Sequence, residues 1–117
     1  MRTKVIVAGG RHFDNSSLLE ETLDKLLVNL DRVEIVSGGC TGADYLGEDY
    51  AQKRGYDVTV FQADWETYRK SAGPIRNREM CQYADCLVAF WDGKSKGTAN
   101  VIEEANNLGL KVRVIRY

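Results

Sequence analysis

Residues 33–61 read VEIVSGGCTGADYLGEDYAQKRGYDVTVF, and their order of residue types decides the fold. Val33-Glu34-Ile35-Val36 is a short β-branched run suited to a strand, and Val58-Thr59-Val60-Phe61 is another. Between them, a helix from about Gly42 to Arg54 would place Leu46, Tyr50 and Ala51 inward, and Gly55 suits the left-handed residue that ends it. Strand, helix, strand in this compass is a βαβ unit, whose crossover makes the two strands parallel and right-handed in connection.

The alternation continues outward in both directions. Val5-Ile6-Val7-Ala8, Cys86-Leu87-Val88-Ala89-Phe90 and Val112-Arg113-Val114-Ile115 are further strand-like runs. Leu18, Leu19, Leu23, Leu26, Leu27 and Leu30 form a stripe on one helix face, and Ser17 with Glu20 has the spacing of a capping box. Pro74 suits the first position of a third helix through Tyr83, and Thr98 suits the cap of a fourth that ends at Leu108-Gly109. The longest irregular stretch is 62–73. The pattern βαβαβαβαβ predicts an α/β fold: a single Rossmann-like, doubly wound, parallel five-stranded sheet with helices on both faces.

The 117 residues fit one domain, 1–117. A formal net charge of -1 argues against a general nucleic-acid binder, although Arg69, Lys70, Arg76 and Arg78 are close in sequence. Cys40, Cys81 and Cys86 form no CxxC pair and His12 is the single histidine, so neither a disulfide framework nor a metal site is expected, nor any cofactor. The apolar run after Met1-Arg2-Thr3-Lys4 is too short for a signal peptide or a membrane anchor, which leads to the expectation of a cytoplasmic protein.

In an open parallel sheet, ligands bind beyond the carboxyl ends of the strands, where the strand order reverses. Three glycine-bearing loops fall at such ends: Gly9-Gly10-Arg11, Ser37-Gly38-Gly39-Cys40-Thr41-Gly42, and Asp92-Gly93-Lys94-Ser95-Lys96-Gly97-Thr98. Glycine lets the backbone approach a ligand closely, and the following helix offers unpaired N–H groups to an anion. No loop matches GxGxxG or GxxxxGK[ST]. Thr41 and Asp44 have the spacing of a capping box, so Asp44 either closes its own helix or accepts hydrogen bonds from a sugar or base. Gly97-Thr98 is the leading phosphate contact, and Arg11 should point into the cleft. Arg76 and Arg78 project roughly 200° apart on a helix, so only one of them can face the site. Cys40 and His12 read as loop residues. Trp65, Tyr68 and Trp91 read either as packing residues or as stacking platforms for a base.

Gly9-Gly10-Arg11, Ser37-Gly38-Gly39-Cys40-Thr41-Gly42-Ala43-Asp44, Ala63-Asp64-Trp65, Gly73-Pro74-Ile75-Arg76-Asn77-Arg78-Glu79-Met80 and Gly97-Thr98, in that order, resemble the YspA-type, YpsA-related branch of the SLOG superfamily. The resemblance implies a nucleotide-binding Rossmann-like domain that acts as a sensor or nucleotide processor. The superfamily includes the LOG phosphoribohydrolases, which release a base from a nucleoside 5′-monophosphate, and the DNA-processing protein DprA. These supply two alternatives, hydrolysis of that kind and single-strand DNA binding. Arg76 with Met80 matches the spacing of the Arg-Lys-x-x-Met element of LOG. Val101 stands where the LOG glutamate would be, and Glu104, about 60° around the helix and one turn on, is the nearest replacement.

The expected ligand is therefore a nucleotide or nucleotide-derived small molecule. The expected contacts are Gly9, Gly10, Arg11, Ser37, Gly38, Gly39, Thr41, Gly42, Asp44, Arg76, Gly97 and Thr98, with Arg76 and Glu104 catalytic if the protein is an enzyme. Related proteins are often dimeric, so a homodimer is a further expectation.

Overall fold

The computed structural model describes residues 2–117. Five strands, β1 (Arg2–Gly9), β2 (Arg32–Ser37), β3 (Asp57–Val60), β4 (Cys86–Trp91) and β5 (Lys111–Arg116), form one sheet in the order β3-β2-β1-β4-β5. Every neighbouring pair is parallel. The helices are α1 (Ser16–Leu27), α2 (Ala43–Arg54), α3 (Trp65–Tyr68), α4 (Ala72–Tyr83) and α5 (Lys96–Asn107).

Alternation along β1 divides the core in two. Val5 and Val7 pack with Leu19, Leu23, Leu27, Tyr50 and Ala51 of α1 and α2, together with Ile35 and Phe90. Ile6 and Ala8 pack on the opposite face with Met80 and Cys81 of α4 and Val101 and Ala105 of α5. Right-handed crossovers explain this layering. The chain winds outward from β1 through β2 to β3 with α1 and α2 on one face, then returns past β1 to β4 and β5 with α4 and α5 on the other. The reversal lies between β1 and β4, the predicted place for a crevice.

Several helix ends differ from the expectation, each because a nearer polar group wins. Asn15, not Ser17, caps α1 by accepting from the Leu18 amide. Ser95, not Thr98, caps α5 and accepts from the Thr98 amide. No capping box closes α2: its cap is Gly42 at φ 77, and the Thr41 hydroxyl donates to the Arg11 carbonyl. Pro74 is the third residue of α4, and the supposedly irregular 62–73 holds α3 and a 3₁₀ turn, Arg69–Ser71. Gly55 does end α2, at φ 74, with its amide on the Gln52 carbonyl.

Among the described residues one charged strand residue is buried. Glu34 is 1% exposed and accepts from Arg2 at 2.7 Å, from Thr59 at 2.8 Å and from the Tyr83 hydroxyl. Burial pushes its carboxyl up, but these donors outweigh burial and hold it below the usual range.

Candidate functional site

A cleft of about 350 Å³ opens at the carboxyl ends of β1 and β4. Its walls come from the loops after these strands, the starts of α2 and α5, and the inner face of α4. The backbones meet closely there because glycine permits it. A methyl group on Gly9 would run into the Phe90 carbonyl, and one on Gly42 would strike the Gly10 and Arg11 backbone. The Gly10 amide donates to the Phe90 carbonyl at 3.2 Å, and the Gly10 carbonyl receives the Phe13 and Ala43 amides.

Seven of the expected contacts line the cleft: Gly9, Gly10, Arg11, Asp44, Arg76, Gly97 and Thr98. The loop after β2 behaves differently from the expectation. The Ser37 hydroxyl is fully buried, donates to Glu48 at 2.6 Å and accepts the Gly39 amide at 3.1 Å. The Cys40 amide goes to Asp44 Oδ2 at 3.3 Å, and the Gly38 amide is also directed to Asp44. Ser37, Gly38, Gly39, Thr41 and Gly42 lie outside the lining. A built-in carboxylate already occupies the place where a phosphate was expected between these amides.

Arg76 faces the cleft, whereas Arg78 lies on the exposed side of α4 and pairs with Glu104 at 3.4 Å. Glu104, the expected catalytic carboxylate, thus stands between α4 and α5 and outside the lining. Arg76 is only 9% exposed. Its Nη1 donates to the Gly38 carbonyl at 2.6 Å and its Nε to Asn77 Oδ1 at 2.9 Å. Among the described residues Nη2 has no acceptor, and no buried side-chain nitrogen or oxygen is left unpartnered, so Nη2 is not sealed from solvent, and Arg76 is among the residues that line the cleft.

Asn77 enters the sequence reading only as part of the stretch Gly73–Met80, with no role of its own. It is 5% exposed and donates to the Gly97 carbonyl at 3.3 Å and to Asn100 Oδ1 at 2.9 Å while accepting from Arg76. One side chain therefore fixes the arginine against the start of α5. Among the described residues the Lys96 and Gly97 amides, in the first turn of α5, have no acceptor, and the space over Gly97 is empty.

Two carboxylates line the cleft, in opposite environments. Burial pushes Asp44 up to about 6, against the downward pull of the Cys40 amide and of Arg76. Asp92 is exposed and lowered by the Ser95 and Lys94 amides, which it accepts at 2.8 Å each. His12 and Tyr117 complete the rim. Trp65 and Tyr68 are half exposed on α3, outside the lining. Among the described residues no cluster of His, Cys, Asp and Glu has the arrangement to hold a metal ion, and no helix is long and apolar enough to cross a membrane.

Comparison with known proteins adds to this geometry. The family model described as YAcAr, "YspA, cpYpsA-related SLOG family", matches residues 3–68. The Gene 61 protein of Mycobacterium phage D29 is 34% identical over 116 residues, covering 93% of each chain. Among solved structures, DNA processing protein A (DprA) from Streptococcus pneumoniae superposes with a TM-score of 0.76 at 17% identity, over 100% of this chain and 51% of its own. The protein TM1055 superposes with a TM-score of 0.68 at 22% identity, over 96% of this chain and 72% of its own. At such identities the two structures share a fold with this chain.

Proposed function

The chain belongs to the YspA, cpYpsA-related SLOG family, and from that premise we propose that it binds a nucleotide or nucleotide-derived ligand in the cleft at the β1/β4 reversal. The observation that carries this reading is Arg76. Burying a guanidinium is costly, and here two of its nitrogens serve only to hold it in place while the third faces an open cavity. Such an arrangement suits a phosphate, which would take Arg76 Nη2 on one side and the Lys96 and Gly97 amides at the positive end of α5 on the other. Arg11, exposed at the rim, adds charge.

The reading favours a binding or sensor domain over a phosphoribohydrolase, because the expected glutamate is engaged elsewhere. Single-strand DNA binding is less favoured: the net charge is -1, and Arg78 of the basic segment is tied to Glu104.

Isothermal titration and thermal-shift measurements with AMP, GMP, CMP and UMP test the reading. At least one should raise the melting temperature of the wild type, and Arg76→Gln should weaken its binding about tenfold or more, the loss of one charge-assisted contact. Circular dichroism of Arg76→Gln checks that the variant is folded. A wild-type protein that no nucleotide stabilises at millimolar concentration would refute the proposal.

A further inference from the structure

Two buried side chains of opposite charge share the cleft floor, and each leaves one atom unclaimed. Arg76 offers Nη2, as described above. Asp44 is 6% exposed; its Oδ2 receives the Cys40 amide and the Gly38 amide is directed to the same carboxylate, whereas no hydrogen bond reaches Oδ1 among the described residues and that oxygen is not sealed from solvent. The two groups are neighbours. A methyl built on Gly38 would lie 2.8 Å from Asp44 Oδ2 and 3.0 Å from Arg76 Nη1, yet the arginine spends its hydrogen bonds on Gly38 and Asn77.

This pairing restricts what fits. A bare phosphate or a polyphosphate chain satisfies Arg76 but sets negative charge beside Asp44, and that repulsion is strong where water is scarce. An apolar ring laid over Asp44 would bury an acceptor with nothing to accept. A phosphorylated sugar meets both demands, because its hydroxyls are donors a few bonds from the anion. The size agrees: about 350 Å³ is at the small end for ligand pockets, enough for a sugar phosphate with a base at the mouth. An adjacent donor on the base is farther from the phosphate than the sugar hydroxyls are.

We propose that Asp44 is the specificity residue of the cleft and selects ribosylated phosphates, with the anion on Arg76 and free sugar hydroxyls donating to Asp44 Oδ1. The proposal rests on the nucleotide reading above and deepens it. A site built to receive a hydroxyl discriminates strongly against the analogue that lacks it, since the buried acceptor is then stranded.

The test is titration of AMP, GMP, CMP and UMP, each against its 2′,3′-dideoxy counterpart, into wild type and Asp44→Asn at pH 8. Asparagine retains an oxygen for the Cys40 amide while removing the charge. The wild type should prefer the ribonucleotide by about tenfold or more, and Asp44→Asn should compress that preference to about threefold or less. Equal binding of both forms by wild type would overturn the role of Asp44 and leave the nucleotide reading standing. A preference unchanged in Asp44→Asn would overturn it as well. Absence of binding by any of the eight compounds would sink both. Should Asp44→Asn fail to fold, the wild-type comparison decides alone.

Discussion

At the scale of single residues, Asp44 shows how a side chain can serve a loop and a cavity together, at a cost in stability. Its carboxyl titrates at about 6 in the fold against an ordinary 3.8, because burial disfavours the charge. The fold therefore prefers the protonated form: the stabilising contribution is complete below about 3.8 and is lost as pH rises through 6. Glu48 acts on it in the same direction as burial, and Arg76 with the Cys40 and Gly38 amides against it. Asp44→Asn should thus gain up to roughly 3 kcal/mol relative to wild type at pH 8, and little at pH 4, in urea titrations at both pH values. A constant difference across that range would show that the carboxyl does not titrate there. Gly42 is a different case, a residue that must lack a side chain. With φ at 77 and backbone where its Cβ would sit, Gly42→Ala should lose about 2 kcal/mol or more by the same measurement. Residue by residue, Gly9, Arg11 and Arg76 could be placed at the cleft from the sequence because they follow a strand end or face inward from a helix. Ser37, Gly38 and Gly39 lie outside the cleft lining, and no spacing rule reveals that Asp44 and Ser37 would take the Gly38 and Gly39 amides.

At the scale of elements, strands and helices were recognisable from periodicity, whereas their ends were set by competition among neighbouring polar residues. Ser95 outcompeted Thr98 for α5 because Asp92 folds the loop back through the Lys94 and Ser95 amides and presents Ser95 to the first turn. Ser95→Ala should cost about 1 kcal/mol in chemical denaturation, and Thr98→Val, at a residue that is not the cap, should cost less. Asn77 belongs to this scale too, as the link between α4 and α5. Asn77→Asp keeps an acceptor for Arg76 but drops the donors to Gly97 and Asn100, and it should weaken nucleotide binding while Asn77→Ala weakens it further. Equal affinity in all three proteins, by titration calorimetry, would remove Asn77 from the site. Arg69 ends α3 at φ 53, the one positive value among the described residues that are not glycine. Arg69→Gly should therefore stabilise the protein by about 0.5–1 kcal/mol, despite the entropy that glycine adds to the unfolded chain.

For the molecule as a whole, the doubly wound order followed from alternation of short apolar runs with amphipathic helices, since few topologies satisfy right-handed crossovers. Glu34 escaped that logic: in the sequence it interrupts an apolar run, and only the fold brings Arg2, Thr59 and Tyr83 around it from β1, β3 and α4. Its carboxyl lies below the ordinary 4.5, so its contribution is present above that pH and is lost as acid titrates it in the folded state. Glu34→Gln sets an amide N–H₂ among donors that the carboxylate satisfied and should cost about 1–3 kcal/mol at neutral pH, with the gap to wild type closing under acid conditions. At the other end of the sheet, Arg76 reaches across the reversal. It grips Gly38 on the β2 side and, through Asn77, Gly97 on the β5 side. The two wings of the sheet cannot slide past one another without tearing that side chain loose. A molecule arriving at Nη2 would therefore tighten a latch, and its arrival would be felt as slower amide exchange at both wings at once.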